Sequence, residues 1–166
     1  MKTSQEYLDL SKERLLCARH ILEVTYPQIR SPRLFLSCLE HLFLSMDYAM
    51  NSVLANDNLK AKAGEHPQTF SGRYSAFRLR LASSLGFERR GIEALLAMRN
   101  TLILHKKSPM EFERNDRFII CTNDYEMTHL SLEGMGSYIE IASSFLESAR
   151  DVLEQPLSTQ GDSHSP

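Results

Sequence analysis

Arg99, Asn100 and His105 lie within seven positions and are of the types needed to cut a phosphodiester without a metal. Cleavage beside a 2′-hydroxyl needs a group to take its proton and a positive group on the charge that develops at phosphorus. An imidazole, with an unperturbed pKa of ~6.5, serves as base or acid near neutrality. A guanidinium holds phosphate oxygens through parallel N–H donors. An amide orients either partner by hydrogen bonds. Lys106 and Lys107 follow directly and Arg89 and Arg90 open the same stretch, so a sequence-independent attraction for a nucleic-acid backbone is at hand. From Arg73 to Lys107, eight Lys or Arg face two acids, Glu88 and Glu93. The segment carries +6 in a chain of net charge −2, which leaves −8 elsewhere. A local positive region in an acidic protein suits an anionic ligand.

The element that must position these residues spans Glu88 to Lys107. Ile92, Leu95, Leu96, Met98, Leu102, Ile103 and Leu104 recur at spacings of three and four, which predicts a buried helix. On it, Arg99 and His105 fall about 120° apart and ~9 Å along the axis. The same His-Lys-Lys ending also complements a helix macrodipole, a purely structural use of these cations.

Around it, the sequence reads as one domain over residues 1–155. A first helix starts at Thr3 or Ser4, where Thr3-x-x-Glu6 has capping-box spacing, and ends near Pro27. Ser31-Pro32 reads as the start of a second helix that runs to Ala55 and is apolar on most of its circumference. Its polar residues, Ser37, Glu40, Asp47 and Asn51, form one narrow seam that is either a solvent stripe or the wall of a groove facing the charged segment. Residues 56–69 lack periodicity and read as a long loop. A third helix, Phe70–Phe87 closed by Gly86, is expected to pack antiparallel to Glu88–Lys107. Residues 117–129 have the composition of a β-hairpin around Asn123-Asp124, or of an extended loop. Ser131 caps a final amphipathic helix, and residues 156–166 read as a disordered tail. The expected fold is all-α: an up-and-down helical bundle of about five helices with a short β-hairpin or extended loop before the last helix.

Phosphate-loop, dinucleotide, nucleophile-elbow and H-E-x-x-H motifs are missing. Glu126-x-x-His129 has the spacing of a carboxylate-bridged metal ligand pair but occurs once, in the hairpin, so no metal and no cofactor are expected. Cys17, Cys38 and Cys121 are far apart and read as reduced thiols. No apolar run approaches the ~20 residues of a membrane span, and a polar first stretch makes the cytoplasm the default location.

Arg99-Asn100-x-x-x-x-His105 on a late helix of a small bundle resembles the HEPN family. Its signature is an arginine, often with a polar follower, and a histidine after four to six residues. Arg14-x5-His20 has the same spacing, but Leu15 follows its arginine and the surroundings are not basic. The resemblance covers about residues 3–154 in architecture and three residues in signature. It implies a metal-independent endoribonuclease with Arg99, Asn100 and His105 as catalytic residues. Arg89, Arg90, Lys106 and Lys107 would contact RNA, and Glu40 and Asp47 would be accessories. It further implies a homodimer that brings two motifs together, and a toxin partnered by a nucleotidyltransferase-type antitoxin. Family members also include non-catalytic modules that bind nucleotide, RNA or protein, and a plain helical adaptor is the third reading.

Overall fold

A computed structural model describes residues 1–155; the tail expected at 156–166 lies outside the described residues. Helix α1 (Ser4–His20) begins as the sequence predicts. The Thr3 hydroxyl accepts from Glu6 N–H, and the Glu6 carboxylate accepts from Thr3 N–H. The rod does not stop before Pro27. It widens into a π-type turn at Ile21–Thr25 and continues through α2 (Tyr26–Ile29) until Arg30, at φ 56, ends it. A proline ring clashes with the carbonyl four residues back, here Glu23, and the wider turn at that point relieves the conflict.

Helix α3 (Leu34–Leu54) runs through the middle of the molecule, packed against α1 on one side and the last helix on another. Phe35, Cys38, Leu39, Leu42, Met46, Ala49, Met50 and Val53 are buried along it. Burial pushes the Cys38 thiol up to about 12. Ser31 is not its cap. A turn precedes the helix, and Glu113 from the sheet accepts from Arg33 N–H and from the Ser31 hydroxyl. A carboxylate at a helix N-terminus satisfies orphan donors and complements the dipole.

The stretch expected to be loop contains a short helix, α4 (Lys60–Ala63), held by the buried Ala63 and closed by Gly64 at φ +67. Helix α5 (Phe70–Ala76) passes into a π-type turn at Phe77–Leu81, and Gly86 at φ +79 completes the exit. Helix α6 (Arg89–Lys107) returns antiparallel to it: the Tyr74 hydroxyl donates to Ile92 O, and Phe70 lies beside Arg99. Only the first half of α6 is deeply packed, through Gly91, Ala94, Leu95 and Met98. Leu102 and Leu104 lean on the core while Leu96 and Ile103 do not, so the predicted apolar face is narrower than its seven residues suggested.

The chain then makes a three-stranded antiparallel sheet in the order β1 (Met110–Arg114), β2 (Arg117–Cys121), β3 (Met127–Leu130). The expected hairpin is β2–β3; β1 was not anticipated. Phe118, Ile120 and Leu130 face the helical core. Helix α7 (Leu132–Glu154), capped by Ser131, closes the bundle and sets Phe145 against Phe77 and Phe87 with the rings tilted by 58°. The architecture is thus a helical bundle bearing a small sheet rather than purely all-α. No helix among the described residues is long and apolar enough to cross a membrane.

Candidate functional site

His105 sits in the last turn of α6, on the side that faces the protein. Ser108-Pro109 ends the helix and turns the chain so that β1 runs back beneath it, which brings Glu111 under the imidazole. Nδ1 of His105 lies 2.5 Å from Glu111 Oε1, with the two side chains 30% and 18% exposed. An ionised carboxylate only accepts, so Nδ1–H donates to it and Nε2 is the nitrogen left to exchange a proton. The arrangement holds a histidine in one tautomer with its outer nitrogen free for proton transfer.

Arg99 is held differently. Its guanidinium lies over the Phe70 ring, 4.5 Å from the centroid, and accepts no acid partner among the described residues. Arg73 lies near the same ring at 5.9 Å but is committed: it donates to Asp47 at 2.8 Å and to Asn51. The polar seam of α3 therefore does face the charged segment, through Asp47 and Asn51 meeting Arg73. Stacking fixes the plane of Arg99 by about 0.5–2 kcal/mol and leaves its N–H donors unspent. Beside this cluster opens a cavity of about 700 Å³, bordered by Tyr7, Asn51, Lys60, His66 and Arg73.

The structure does not gather the predicted residues into one site within a single chain. Arg99 and His105 have separate partners on separate elements. Asn100 is exposed and, five positions before His105, points about 140° away from it. Lys106 and Lys107 are exposed next to His105, whereas Arg89 and Arg90 lie ~25 Å away at the other end of α6. Arg89 pairs with Glu93 at 2.7 Å and Arg90 with Glu88 at 3.9 Å, which offsets their charge against the positive end of the helix dipole. Asp47 is a structural partner of Arg73, and Glu40 is exposed. Arg14 contacts His41 rather than His20, at 3.3 Å from its Nδ1. Burial and then the charge of Arg14 hold the His41 imidazole below its usual range.

Glu111, Phe70 and Arg73 were missed as members of these clusters. Glu111 had a signal: it follows His105 by six residues across a Ser-Pro stop, the spacing of a strand folding back under a helix end. Phe70 and Arg73 had none beyond lying in the positive segment. Among the described residues, no three His, Cys, Asp or Glu side chains converge on a point that can hold a metal ion, and His129 is exposed. Compared with protein-family models, curated proteins and solved structures, the chain finds no match.

Proposed function

We propose that this protein is a metal-independent endoribonuclease of HEPN type that works as a homodimer. The observation that carries the reading is the His105–Glu111 pair, an imidazole oriented for proton transfer, on the same helix as an arginine with no acid partner among the described residues. In this reading Nε2 of His105 takes the proton of a 2′-hydroxyl, and that oxygen attacks the adjacent phosphorus. The bond to the 5′-oxygen of the next nucleotide breaks, leaving a 2′,3′-cyclic phosphate. Arg99 stabilises the phosphorane charge. Asn100 orients the strand from the outer face.

The outer face of α6 favours a second copy as the missing half. Leu96 and Ile103 are apolar, outside the core and two helical turns apart, with Asn100 between them. An antiparallel copy sets Leu96 against Ile103 and Glu93 against Lys106, with Arg99 and Asn100 of both chains beside the two-fold axis. Each His105 then stands ~8 Å along the axis, within reach of a strand crossing both arginines. The toxin role and a nucleotidyltransferase-type antitoxin are the finer part of the proposal and rest on the resemblance alone.

The test is to incubate wild-type protein and the Arg99→Ala and His105→Ala variants with mixed cellular RNA in EDTA, and to analyse fragment ends. Wild-type-only cleavage that leaves 2′,3′-cyclic phosphates is the expected result. A His105→Ala variant that cuts as fast as wild type would sink the assignment. A second reading, a non-catalytic module that binds RNA or nucleotide, is favoured by the separation of Asn100 and His105 around α6. It predicts saturable binding that depends on Arg99, with no product.

A further inference from the structure

The outer face of the sheet carries three sulfur side chains in one row. Met110 on β1 is directly opposite Cys121 on β2, and Cys121 is directly opposite Met127 on β3. Directly paired residues of an antiparallel sheet project to the same side, with Cβ atoms about 4.5–5.5 Å apart. Ile120, Phe118 and Leu130 take the inner side, so the alternation sends Met110, Cys121 and Met127 outward. The core gives these methionines no reason to be there: they remain 59% and 55% exposed, while Cys121 between them is half-buried. His129 is on the same face, two residues beyond Met127.

The backbone of this row is pinned at both ends. The Ser108 hydroxyl donates to Cys121 O at 2.6 Å and accepts from Met110 N–H at 3.3 Å, which ties β1 to β2. Thr122 N–H donates to Glu126 O at 2.9 Å, closing the connection between β2 and β3 right beside the Cys121–Met127 pair. Three sulfur side chains on adjacent strands therefore stand in one row above a rigid base, with the Cys121 thiol donating to Thr122 O at 3.6 Å, a weak bond that a metal ion would replace. A thiolate flanked by two thioethers is a soft, low-charge donor set. It suits a monovalent d10 cation in trigonal coordination and is poor for the hard ions that carboxylates bind.

We propose that Met110, Cys121 and Met127 form a surface site for a soft monovalent metal ion, Cu(I) in the cell, with His129 as a neighbouring fourth donor. Binding exchanges the Cys121 thiol proton for the metal; no oxidation state changes. The site is independent of the ribonuclease reading.

The experiment titrates reduced full-length protein with Ag(I), the redox-inert analogue, and with Cu(I) under anaerobic conditions against a chromophoric competitor. Methyl-labelled methionine NMR runs in parallel. The expected result is one ion per chain, with the Met110 and Met127 methyl signals shifting among the seven methionines of the chain. Met110→Leu and Met127→Leu should each weaken binding at least tenfold, and Cys121→Ser should remove it. A Cys17→Ser background removes the other half-buried thiol. Both leucine variants replace exposed side chains of similar size, so the fold, followed by circular dichroism, is retained. The proposal is overturned if the double leucine variant binds as tightly as its parent, because a lone thiol then suffices. It is equally overturned if the shifts fall on other methionines, or if no ion competes with the chromophore.

Discussion

Removing the carboxylate of Asp47 should cost far more than its place on the polar seam of α3 suggests. Its side chain is 14% exposed, and that of its partner Arg73 is 18% exposed, at 2.8 Å. Breaking a fully buried ion pair by deleting one member costs about 3–5 kcal/mol, while an exposed pair contributes about 0–1. At this depth, and with Asn51 still accepting from Arg73, Asp47→Ala should cost about 2–3 kcal/mol. Near 150–170 residues that corresponds to a fall in Tm of about 5–10 °C. The assay is urea unfolding of wild type, Asp47→Ala, Arg73→Met and the double variant. The double should recover a good part of the loss, since no charge is then stranded, giving a coupling of about 1.5 kcal/mol or more. Raising NaCl from 0.1 to 0.5 M should change this coupling little, because a pair shielded from water is weakly screened. A single-variant loss under about 0.5 kcal/mol, or a coupling near zero, would refute the argument that α5 is locked to α3 by charge.

Glu111→Gln keeps an oxygen that accepts from Nδ1–H. It should leave urea stability nearly unchanged while lowering RNA cutting about ten- to hundredfold, measured as initial rates; equal rates would detach Glu111 from the chemistry. His41 is held below its usual range in the fold, so between the folded and unfolded pKa values the unfolded chain binds more protons. Stability should therefore be complete above the ordinary histidine range and fall as pH drops through the folded value. His41→Gln should flatten that part of a pH series of unfolding midpoints. Two glycines should respond in opposite senses. A Cβ at Gly91 meets Phe145 Cδ2 at 2.9 Å, so Gly91→Ala should destabilise by about 1 kcal/mol in net. Gly136, on α7 with nothing within 4 Å, should gain about 0.5–1 kcal/mol as alanine.

Helices were legible where local chemistry and burial agreed. The Thr3 capping box and the Ser131 cap are determined within a few residues of chain, and the structure has them where the sequence places them; the long apolar α3 is also present, beginning at Leu34 rather than at Ser31-Pro32. What escaped depended on distant partners. β1 has an alternating composition too charged to announce a strand, and it exists because Glu111 and Glu113 find His105 and the N-terminus of α3. For the same reason Ser31 looked like a cap: nothing local reveals that a carboxylate 82 residues later takes over that task. The candidate site divides along the same line. Arg99 and His105 were recognisable by type and spacing, but Phe70 and Glu111, which decide how each is held, come from other elements. The buried face of α6 is narrower than its apolar pattern predicts because a run of apolar residues cannot say how far the rest of the bundle extends along it.

The distribution of free charge leads to a last expectation about where an RNA strand lies. Of the eight cations between Arg73 and Lys107, Arg73 is neutralised by Asp47, and Arg89 and Arg90 stand beside Glu93 and Glu88. Arg80 directs one guanidinium nitrogen, Nη1, at Ala63 O and Glu65 O, and Arg78 is exposed on the π-type turn after α5 with no acid partner among the described residues. Arg99, Lys106 and Lys107 have no acid partner among the described residues and lie within ~12 Å of one another along α6. The arginines at the other end are ~25 Å from the lysines, about three Debye lengths at physiological salt, so the two ends do not act as one field. If RNA binds as proposed, Lys106→Gln with Lys107→Gln should reduce the slope of log K against log salt by about 1.4–1.8, two phosphate contacts' worth. Arg89→Gln with Arg90→Gln should change it by less than half as much. Fluorescence anisotropy with a short single-stranded RNA across a salt series measures both. Equal effects from the two pairs would mean that the strand runs the full length of α6, and the site would then have to be redrawn around the helix rather than around its C-terminal half.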